Sequence, residues 1–196
     1  MNSGSKFCIE CGQPMAYRAH GDDRARWRCA ACGYVHYENP KVLVACLASW
    51  GDKVLWMQRA QEPFRGGWTI PFGFMERGET LQQAASRELR EETLAEIAPE
   101  SLNLYVVGTL QWMSEVHVVF RGRLQSPDFG IGDEAMNVAL FGEDEVPWEQ
   151  CAFPQSEAAT RQFYRELKAG QFGIHMGEFT QQANRFWMLA HGSASD

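Results

Sequence analysis

The sequence lacks the long apolar run that a membrane-spanning helix requires. No stretch approaches ~20 consecutive apolar residues, and the opening residues M-N-S-G-S-K carry no apolar segment typical of a signal peptide. Basic residues are also in the minority, with 18 lysines and arginines against 25 aspartates and glutamates and a net charge of −7. Because nucleic acids and anionic membranes attract basic surfaces, we expect a protein that binds neither. The lack of long apolar segments leads us to expect a cytoplasmic protein.

The composition nevertheless allows a folded domain with a sizeable core. The chain has 196 residues, of which 45% are hydrophobic and 12% aromatic, which suits one domain of medium size with a small appendage. The negative net charge does not exclude a nucleotide substrate, because a bound Mg²⁺ reverses the local sign of the charge.

Hydrophobic patterns predict a series of strands and a late helix. Residues 42–48 form a continuous apolar run, typical of a strand buried on both faces, and residues 53–58 return as the second strand of a hairpin. Further strands are expected at residues 102–112, 115–124 and, as the final strand, 138–141. A helix capped by Ser156 and ending near Lys168 should follow, with one apolar face against the sheet or a second subunit.

Four of the six cysteines form two C-x-x-C-G motifs: Cys8, Cys11, Cys29 and Cys32. Two such pairs at this spacing predict a structural, tetrahedral Zn²⁺ site, and the missing signal peptide disfavours the alternative of two disulfides. Residues 1–36 are too few to bury a stabilising core, so Zn²⁺ should supply the folding energy of this ribbon. Its weakly basic charge favours a packing or dimerising role over nucleic-acid binding.

An acidic helix is the second prominent feature. From Thr80 onward, apolar residues recur at three- and four-residue steps with no proline between them, which predicts a helix. Glu88, Glu91 and Glu92 crowd one face of it, and their repulsion weakens the helix unless a cation neutralises them. A solvated acidic face is the alternative. We favour Mg²⁺ binding, because Arg87 adjoins the cluster and the preceding loop contains two glycines that permit a sharp turn.

This stretch resembles the Nudix box, G-x5-E-x7-R-E-U-x-E-E-x-G-U, in which U is a bulky aliphatic residue. The matching positions are Gly73, Glu79, Arg87, Glu88, Leu89, Glu91 and Glu92. The sequence departs from the box at Leu94, where the pattern has glycine, and at Ala95, where it has a larger residue. Both departures follow the metal ligands, so they affect the geometry of the loop more than the chemistry.

The resemblance extends to the zinc-ribbon Nudix hydrolases, which include plant chloroplast FAD and ADP-ribose pyrophosphatases. Their order of a four-cysteine ribbon, a Y-E-N-P-K joint, the box and a V-P-W turn recurs over roughly residues 7–180. This resemblance implies an α/β fold, the Nudix α/β/α sandwich with a mixed sheet, preceded by a small zinc ribbon. The expected parts are a ribbon at 1–36, a Nudix domain at 37–153 and a C-terminal helix and tail at 154–196. The related enzymes suggest a homodimer.

The resemblance also implies roles for the site residues. The ligands of Mg²⁺ (or Mn²⁺) would be the Gly73 carbonyl, Glu88, Glu91 and Glu92. Arg87 would fix a carboxylate, and Glu79 would brace the loop or the metal site. Glu134, in a later loop, would assist the metal or activate water, with a plain surface charge as the alternative. Arg59 could reach a diphosphate, with a solvated loop charge as the alternative.

The implied reaction is Mg²⁺-dependent hydrolysis of a small nucleotide diphosphate substrate, FAD or ADP-ribose, with release of AMP. NADH pyrophosphatase, a second ribbon-bearing relative, carries S-Q-P-W-P-F-P-x-S soon after its box. That marker is missing here, although residues 151–156 echo it farther downstream. We therefore rank FAD and ADP-ribose above NADH. A nucleotide-binding sensor without catalysis is an alternative of another class, which the intact glutamates disfavour.

Overall fold

A computed structural model describes residues 6–19, 24–153, 157–180 and 184–191. The chain divides into two compact units, Met1–Asn39 and Pro40–Asp196. Within the described ranges, no helix is long and apolar enough to cross a bilayer. The predicted cap at Ser156 lies outside the described residues, and the predicted boundaries at residues 36 and 153 remain predictions.

The first unit is a three-stranded antiparallel sheet with a very small core. Its strands are β1 (Met15–Ala19), β2 (Ala25–Cys29) and β3 (Val35–His36), in the order β1-β2-β3. Its hydrophobic cluster consists of Cys8, Met15, Trp27 and Cys29, with Tyr34 packed against them. Burial of these few apolar side chains contributes less free energy than the conformational entropy lost on folding costs. This unit therefore needs another source of stability.

The second unit is a mixed sheet with two helices. Its first strands are β4 (Lys41–Trp50), β5 (Lys53–Arg59), β6 (Trp68–Thr69) and β7 (Phe72–Phe74). Then come helix α1 (Leu81–Thr93), β8 (Asn103–Leu110), β9 (Glu115–Arg123), β10 (Ala135–Phe141), helix α2 (Glu157–Ala169), β11 (Gly173–Phe179) and β12 (Asn184–His191). Short 3₁₀ turns occupy Pro99–Ser101, Gln111–Met113, Glu143–Glu145 and Trp148–Gln150.

The strand order is β10-β5-β4-β9-β8-β11-β12, with β6 paired to β5 and β7 paired to β4. The pairs β4–β9 and β8–β11 are parallel, and the other neighbours are antiparallel. The prediction of a mixed sheet is therefore confirmed.

Alternating residues of β4 explain why the sheet carries a helix on each face. Val44, Cys46 and Ala48 belong to the hydrophobic cluster that includes residues of α1. Ala45 and Leu47 point to the opposite face and belong to the cluster that includes residues of α2. The helix side chains in these clusters are Ala84, Ala85 and Leu89 of α1 and Ala159, Phe163 and Tyr164 of α2. The predicted α/β/α sandwich is confirmed, as is the prediction that this apolar run is a strand buried on both faces.

One strand prediction is wrong: residues 138–141 lie in β10, which is not the final strand. β11 joins the sheet parallel to β8, and β12 pairs antiparallel with β11. The sequence of β11 is G-I-H-M-G-E-F, in which the glycines and polar residues hide the apolar alternation that marks a strand. Pairing with β8 defines this strand more than its local sequence does.

A buried carboxylate ties α2 to β11. Glu166 is 6% exposed, and its oxygens accept hydrogen bonds from His175 Nε2 at 2.9 Å, the Gly173 backbone N–H at 3.0 Å and Gln162 Nε2 at 2.7 Å. Because a buried carboxylate is stable only when it is well hydrogen-bonded, this contact locks the C-terminal strands to the helix.

Replacing Glu166 by alanine should lower the free energy of unfolding by about 3–5 kcal/mol, because two buried donors, the Gly173 N–H and His175, and the half-buried Gln162 amide lose their acceptor. The matched control is Glu157→Ala, which removes a partly exposed ion pair to Arg161 and the acidic residue in the first turn of the same helix and should cost at most about 1 kcal/mol. Urea denaturation measures both values. Equal costs for the two variants would contradict the role assigned to Glu166.

Candidate active site

Gly73 and Glu88 are brought together by β7 and α1. Gly73 lies opposite Val44 in the β7–β4 pair, and α1 packs against both strands. A Cβ added at Gly73 would lie 2.1 Å from the carboxyl carbon of Glu88. In this conformation the Glu88 carboxylate occupies the space that a Cβ at position 73 would fill, so a larger residue would make the glutamate side chain shift.

Arg87 gathers three of the predicted site carboxylates. Its Nε and Nη2 donate to the two oxygens of Glu79 at 3.1 and 2.9 Å, and its Nη1 donates to Glu88 at 2.7 Å and to Glu91 at 3.0 Å. Nη2 also donates to the Phe74 carbonyl at 3.1 Å. The rigid fork of the guanidinium thus holds the loop, β7 and α1 in one arrangement.

Glu79 and Glu88 have opposite pKa shifts around this arginine. Hydrogen bonds from Arg87 hold the pKa of Glu79 below its usual value, and Glu79 Oε1 also accepts the Glu76 backbone N–H at 2.7 Å. Burial raises the pKa of Glu88, against the opposing effect of Arg87. Arg87 therefore favours the ionised form of Glu79, whereas burial disfavours the ionised form of Glu88, which a bound cation would favour.

Glu92 lies deeper than the other carboxylates of the helix. It is 2% exposed, and its Oε2 accepts the Phe72 backbone N–H at 2.8 Å. Burial raises the pKa of Glu92 to about 8; the Phe72 hydrogen bond opposes this rise, and the charges of Glu88 and Glu134 add to it. A cation bound beside Glu92 would displace its proton.

The raised pKa of Glu92 predicts a pH-dependent stability in Mg²⁺-free buffer. Since the pKa is about 8 in the folded chain and 4.5 for an unperturbed carboxyl, the stabilisation is complete below pH 4.5 and is lost as pH rises through about 8. We expect Tm to fall between about pH 5.5 and pH 9 more steeply in the wild type than in Glu92→Gln, and Mg²⁺ to restore Tm at high pH. Parallel Tm profiles for the two proteins would contradict this expectation.

The charges of Glu134 and Arg59 act on the same group of carboxylates. The charge of Glu134 contributes to the raised pKa of both Glu88 and Glu92, and the charge of Arg59 opposes it at Glu92. Both side chains are therefore within electrostatic range of the helix face. The Nε of Arg59 donates to the Pro63 carbonyl at 3.0 Å, which holds the arginine on its loop.

An aromatic cluster around Arg59 was missed by the sequence analysis. The guanidinium carbon lies 5.3 Å from the ring centroid of Phe72 and 5.4 Å from that of Phe153, and Phe64 and Phe72 each meet Phe153 edge-on. Such cation–π contacts orient the arginine beside the site. The sequence feature that could have indicated this cluster is Phe153, which lies in the segment that echoes the NADH pyrophosphatase marker.

The donor set on α1 fits a hard divalent cation, because the glutamates supply only oxygen ligands. In the structure, Glu88 and Glu91 accept hydrogen bonds from Arg87, and Glu92 accepts one from the Phe72 N–H. In the described part of the chain, the ribbon thiols are the only set of three or more ligand atoms within 4.8 Å of one another. Metal binding at α1 therefore requires the glutamate side chains to turn toward the ion.

The four ribbon cysteines form a separate candidate metal site. The Sγ atoms of Cys8 and Cys32 lie 3.5 Å apart, as do those of Cys11 and Cys29, and all four are free thiols. The Cys32 backbone N–H, which points at Cys29, lowers the pKa of Cys29 to about 7. These separations fit four sulfurs around one Zn²⁺ with Zn–S bonds of about 2.3 Å, as the sequence predicts.

Comparison with protein families matches both parts of the chain. Residues 39–168 match the NUDIX domain, and residues 6–38 match the zinc ribbon described as Nudix N-terminal. Among solved structures, a NUDIX hydrolase from Nitrosomonas europaea superposes with a TM-score of 0.85 at 40% identity, covering 90% of this chain and 99% of that one.

Two relatives carry the names of different activities. A NAD-capped RNA hydrolase NudC from Stutzerimonas stutzeri is 36% identical over 97 residues, which are 50% of this chain and 34% of that protein. An ADP-ribose pyrophosphatase from Methanocaldococcus jannaschii is 40% identical over 116 residues, which are 58% of this chain and 69% of that protein. The chain thus spans about a third of the length of the NudC relatives from Stutzerimonas and Pseudomonas.

Proposed function

Because the chain belongs to the Nudix family, we propose that it is a pyrophosphatase that hydrolyses the diphosphate linking a nucleoside to a second moiety. The observation that carries this proposal is the arrangement around Arg87, which holds Glu79, Glu88 and Glu91 beside the buried Glu92. This concentration of carboxylates suits a divalent cation and a phosphate substrate.

The residues that would hold Mg²⁺ (or Mn²⁺) are Glu88, Glu91, Glu92 and the Gly73 carbonyl. When bound, the ion neutralises charge on the diphosphate oxygens and so lowers the barrier to attack by water. Arg87 lies beside Glu88 and Glu91, to which it donates hydrogen bonds, and Glu79 holds Arg87 through both of its oxygens.

Two further side chains complete the proposed chemistry. Glu134, or a glutamate of α1, takes the proton of the attacking water. The effect of the Glu134 charge on the pKa of Glu88 and Glu92 supports Glu134 for this role, because it places Glu134 within electrostatic range of the site. Arg59 binds a phosphate of the substrate; its contacts with Phe72 and Phe153 orient the guanidinium.

The proposed substrates are FAD and ADP-ribose, with AMP as one product. The resemblance to the plant chloroplast enzymes and the name of the archaeal relative support this choice. The names of the NudC relatives favour a second candidate, hydrolysis of the diphosphate of NADH or of an NAD cap on RNA. We propose a cytoplasmic homodimer that acts on small molecules and binds neither nucleic acid nor membrane.

Hydrolysis of FAD, ADP-ribose, NADH and an NAD-capped oligoribonucleotide with Mg²⁺, followed by chromatography of the products, tests the proposal. We expect kcat/KM for FAD or ADP-ribose to exceed that for NADH and capped RNA by at least about tenfold, which corresponds to about 1.4 kcal/mol. A preference for NADH or capped RNA would overturn the substrate assignment. Tight nucleotide binding without turnover would establish the sensor alternative instead.

A further inference from the structure

The loop at residues 130–132 caps the C-terminal end of α1. The Gly130 N–H donates to the Thr93 carbonyl at 2.7 Å, and the Gly132 N–H donates to the Glu92 carbonyl at 3.1 Å. The last carbonyls of a helix have no partner within the helix, so they need donors from elsewhere. Here a distant segment of the chain supplies those donors directly at Glu92, a residue of the proposed active site.

The contact is too close for any residue except glycine at position 132. A Cβ added at Gly132 would lie 1.9 Å from the Glu91 carbonyl oxygen and 2.8 Å from the Glu92 carbonyl carbon. Both are backbone atoms of α1, so they cannot yield by changing rotamer. The loop backbone therefore rests directly on the helix backbone.

Leu94, the residue after the last turn of α1, packs against the same loop at Gly130. It leaves the helix with a left-handed φ of 54°, at the position where the Nudix pattern has glycine. A Cβ added at Gly130 would lie 2.9 Å from Leu94 Cδ1, so the leucine side chain packs on the loop. The strain of a left-handed leucine is tolerated where surrounding contacts fix the backbone, as the two glycine N–H groups do here.

The same loop leads into Glu134 and fixes its backbone. The Ala135 N–H donates to the Gly132 carbonyl at 3.1 Å, and the Ala60 N–H donates to the Glu134 carbonyl at 2.8 Å. Glu134 is thus held between the α1 cap on one side and the end of β5 on the other. Any displacement of Gly132 from α1 would move Glu134 relative to Glu92.

We propose that Gly132 is a positioning residue, whose contact with the C-terminal end of α1 sets the distance between Glu134 and the carboxylates of Glu88 and Glu92. This inference rests on the proposed hydrolysis, in which Glu134 acts on the attacking water. A positioning error of about 1 Å can cost a factor of about 10² in rate, so the effect of a larger residue should be measurable.

The test combines Gly132→Ala with Glu134→Gln in a double-mutant cycle, measured as kcat and KM on the best substrate of the wild type. We expect Gly132→Ala to lower kcat by about 10²-fold with KM changed less than about threefold, and to have little further effect in the Glu134→Gln protein. An equal loss in both backgrounds, an unchanged kcat in Gly132→Ala, or full activity of Glu134→Gln would overturn the inference. An inactive wild type would instead show that the proposed function fails.

Gly130→Ala provides a second test if Gly132→Ala does not fold. Its Cβ would be too close only to Leu94 Cδ1, at 2.9 Å, which is the flexible end of a side chain, so kcat should fall by a smaller factor and should recover when Leu94→Ala removes that atom. No recovery in that double variant would contradict the inference. The matched control is Gly142→Ala, whose added Cβ would have an ordinary contact at 3.5 Å with Glu145 Oε2, and whose kcat should equal that of the wild type.

Discussion

Replacing Glu92 by glutamine is expected to lower kcat of diphosphate hydrolysis by about 10³-fold. Glutamine keeps an oxygen that can accept the Phe72 N–H, now bonded at 2.8 Å, so the fold should be retained. What it loses is the negative charge offered to the metal. Steady-state kinetics with Mg²⁺, together with a thermal melt of each protein, separates the loss of chemistry from a loss of folding.

Glu96→Gln is the matched control, because Glu96 is an exposed carboxylate just beyond the end of α1. Its kcat should stay within about twofold of the wild type, as for a surface substitution away from the site. If Glu92→Gln turns over substrate as fast as Glu96→Gln, the buried glutamate has no catalytic role and the metal site must be sought elsewhere.

Removing zinc is expected to unfold the first unit while the second unit stays folded. The small cluster around Trp27 cannot hold β1–β3 together, whereas a four-thiolate Zn²⁺ site contributes roughly 10–16 kcal/mol. Metal analysis of untagged protein should return about one Zn²⁺ per chain. After chelation, trypsin should cut rapidly at Arg26 and Arg28 of β2, which are ordered in a strand.

Cys29→Ser and Cys151→Ser make a matched pair for this experiment. Cys29 lies in the thiol cluster, and Cys151 is a half-buried free thiol of the second unit. Only Cys29→Ser should lose zinc and become sensitive to trypsin at β2. A zinc-free first unit that resists trypsin would show that its apolar cluster suffices, and the structural role of the metal would be lost.

The box helix was predictable because its evidence is local. Periodic apolar residues predict a helix from Thr80 onward, and α1 begins at Leu81, with Thr80 as an N-cap that accepts the Gln83 N–H at 3.2 Å. The spacing of the three glutamates placed them on one helix face. The apolar run of β4 was equally informative, because a strand covered on both faces has no polar alternation to obscure it.

Contacts between distant segments could not be predicted. The cap of α1 by Gly130 and Gly132 joins segments about forty residues apart in sequence, a separation that no periodicity reports. The strand β11 owes its position to β8 and to Glu166 more than to its own pattern. Long-range pairing of this kind overrides local propensity, which is why the end of the sheet was misassigned.

Binding of Mn²⁺, followed by electron paramagnetic resonance, tests most directly whether the face of α1 holds a catalytic cation. The wild type and Glu96→Gln should bind Mn²⁺ with equal affinity, and the double variant Glu88→Gln/Glu92→Gln should bind it at least about 10²-fold more weakly while keeping its zinc. Equal Mn²⁺ affinity in the double variant would contradict the assignment of these glutamates as metal ligands, and with it the proposed chemistry.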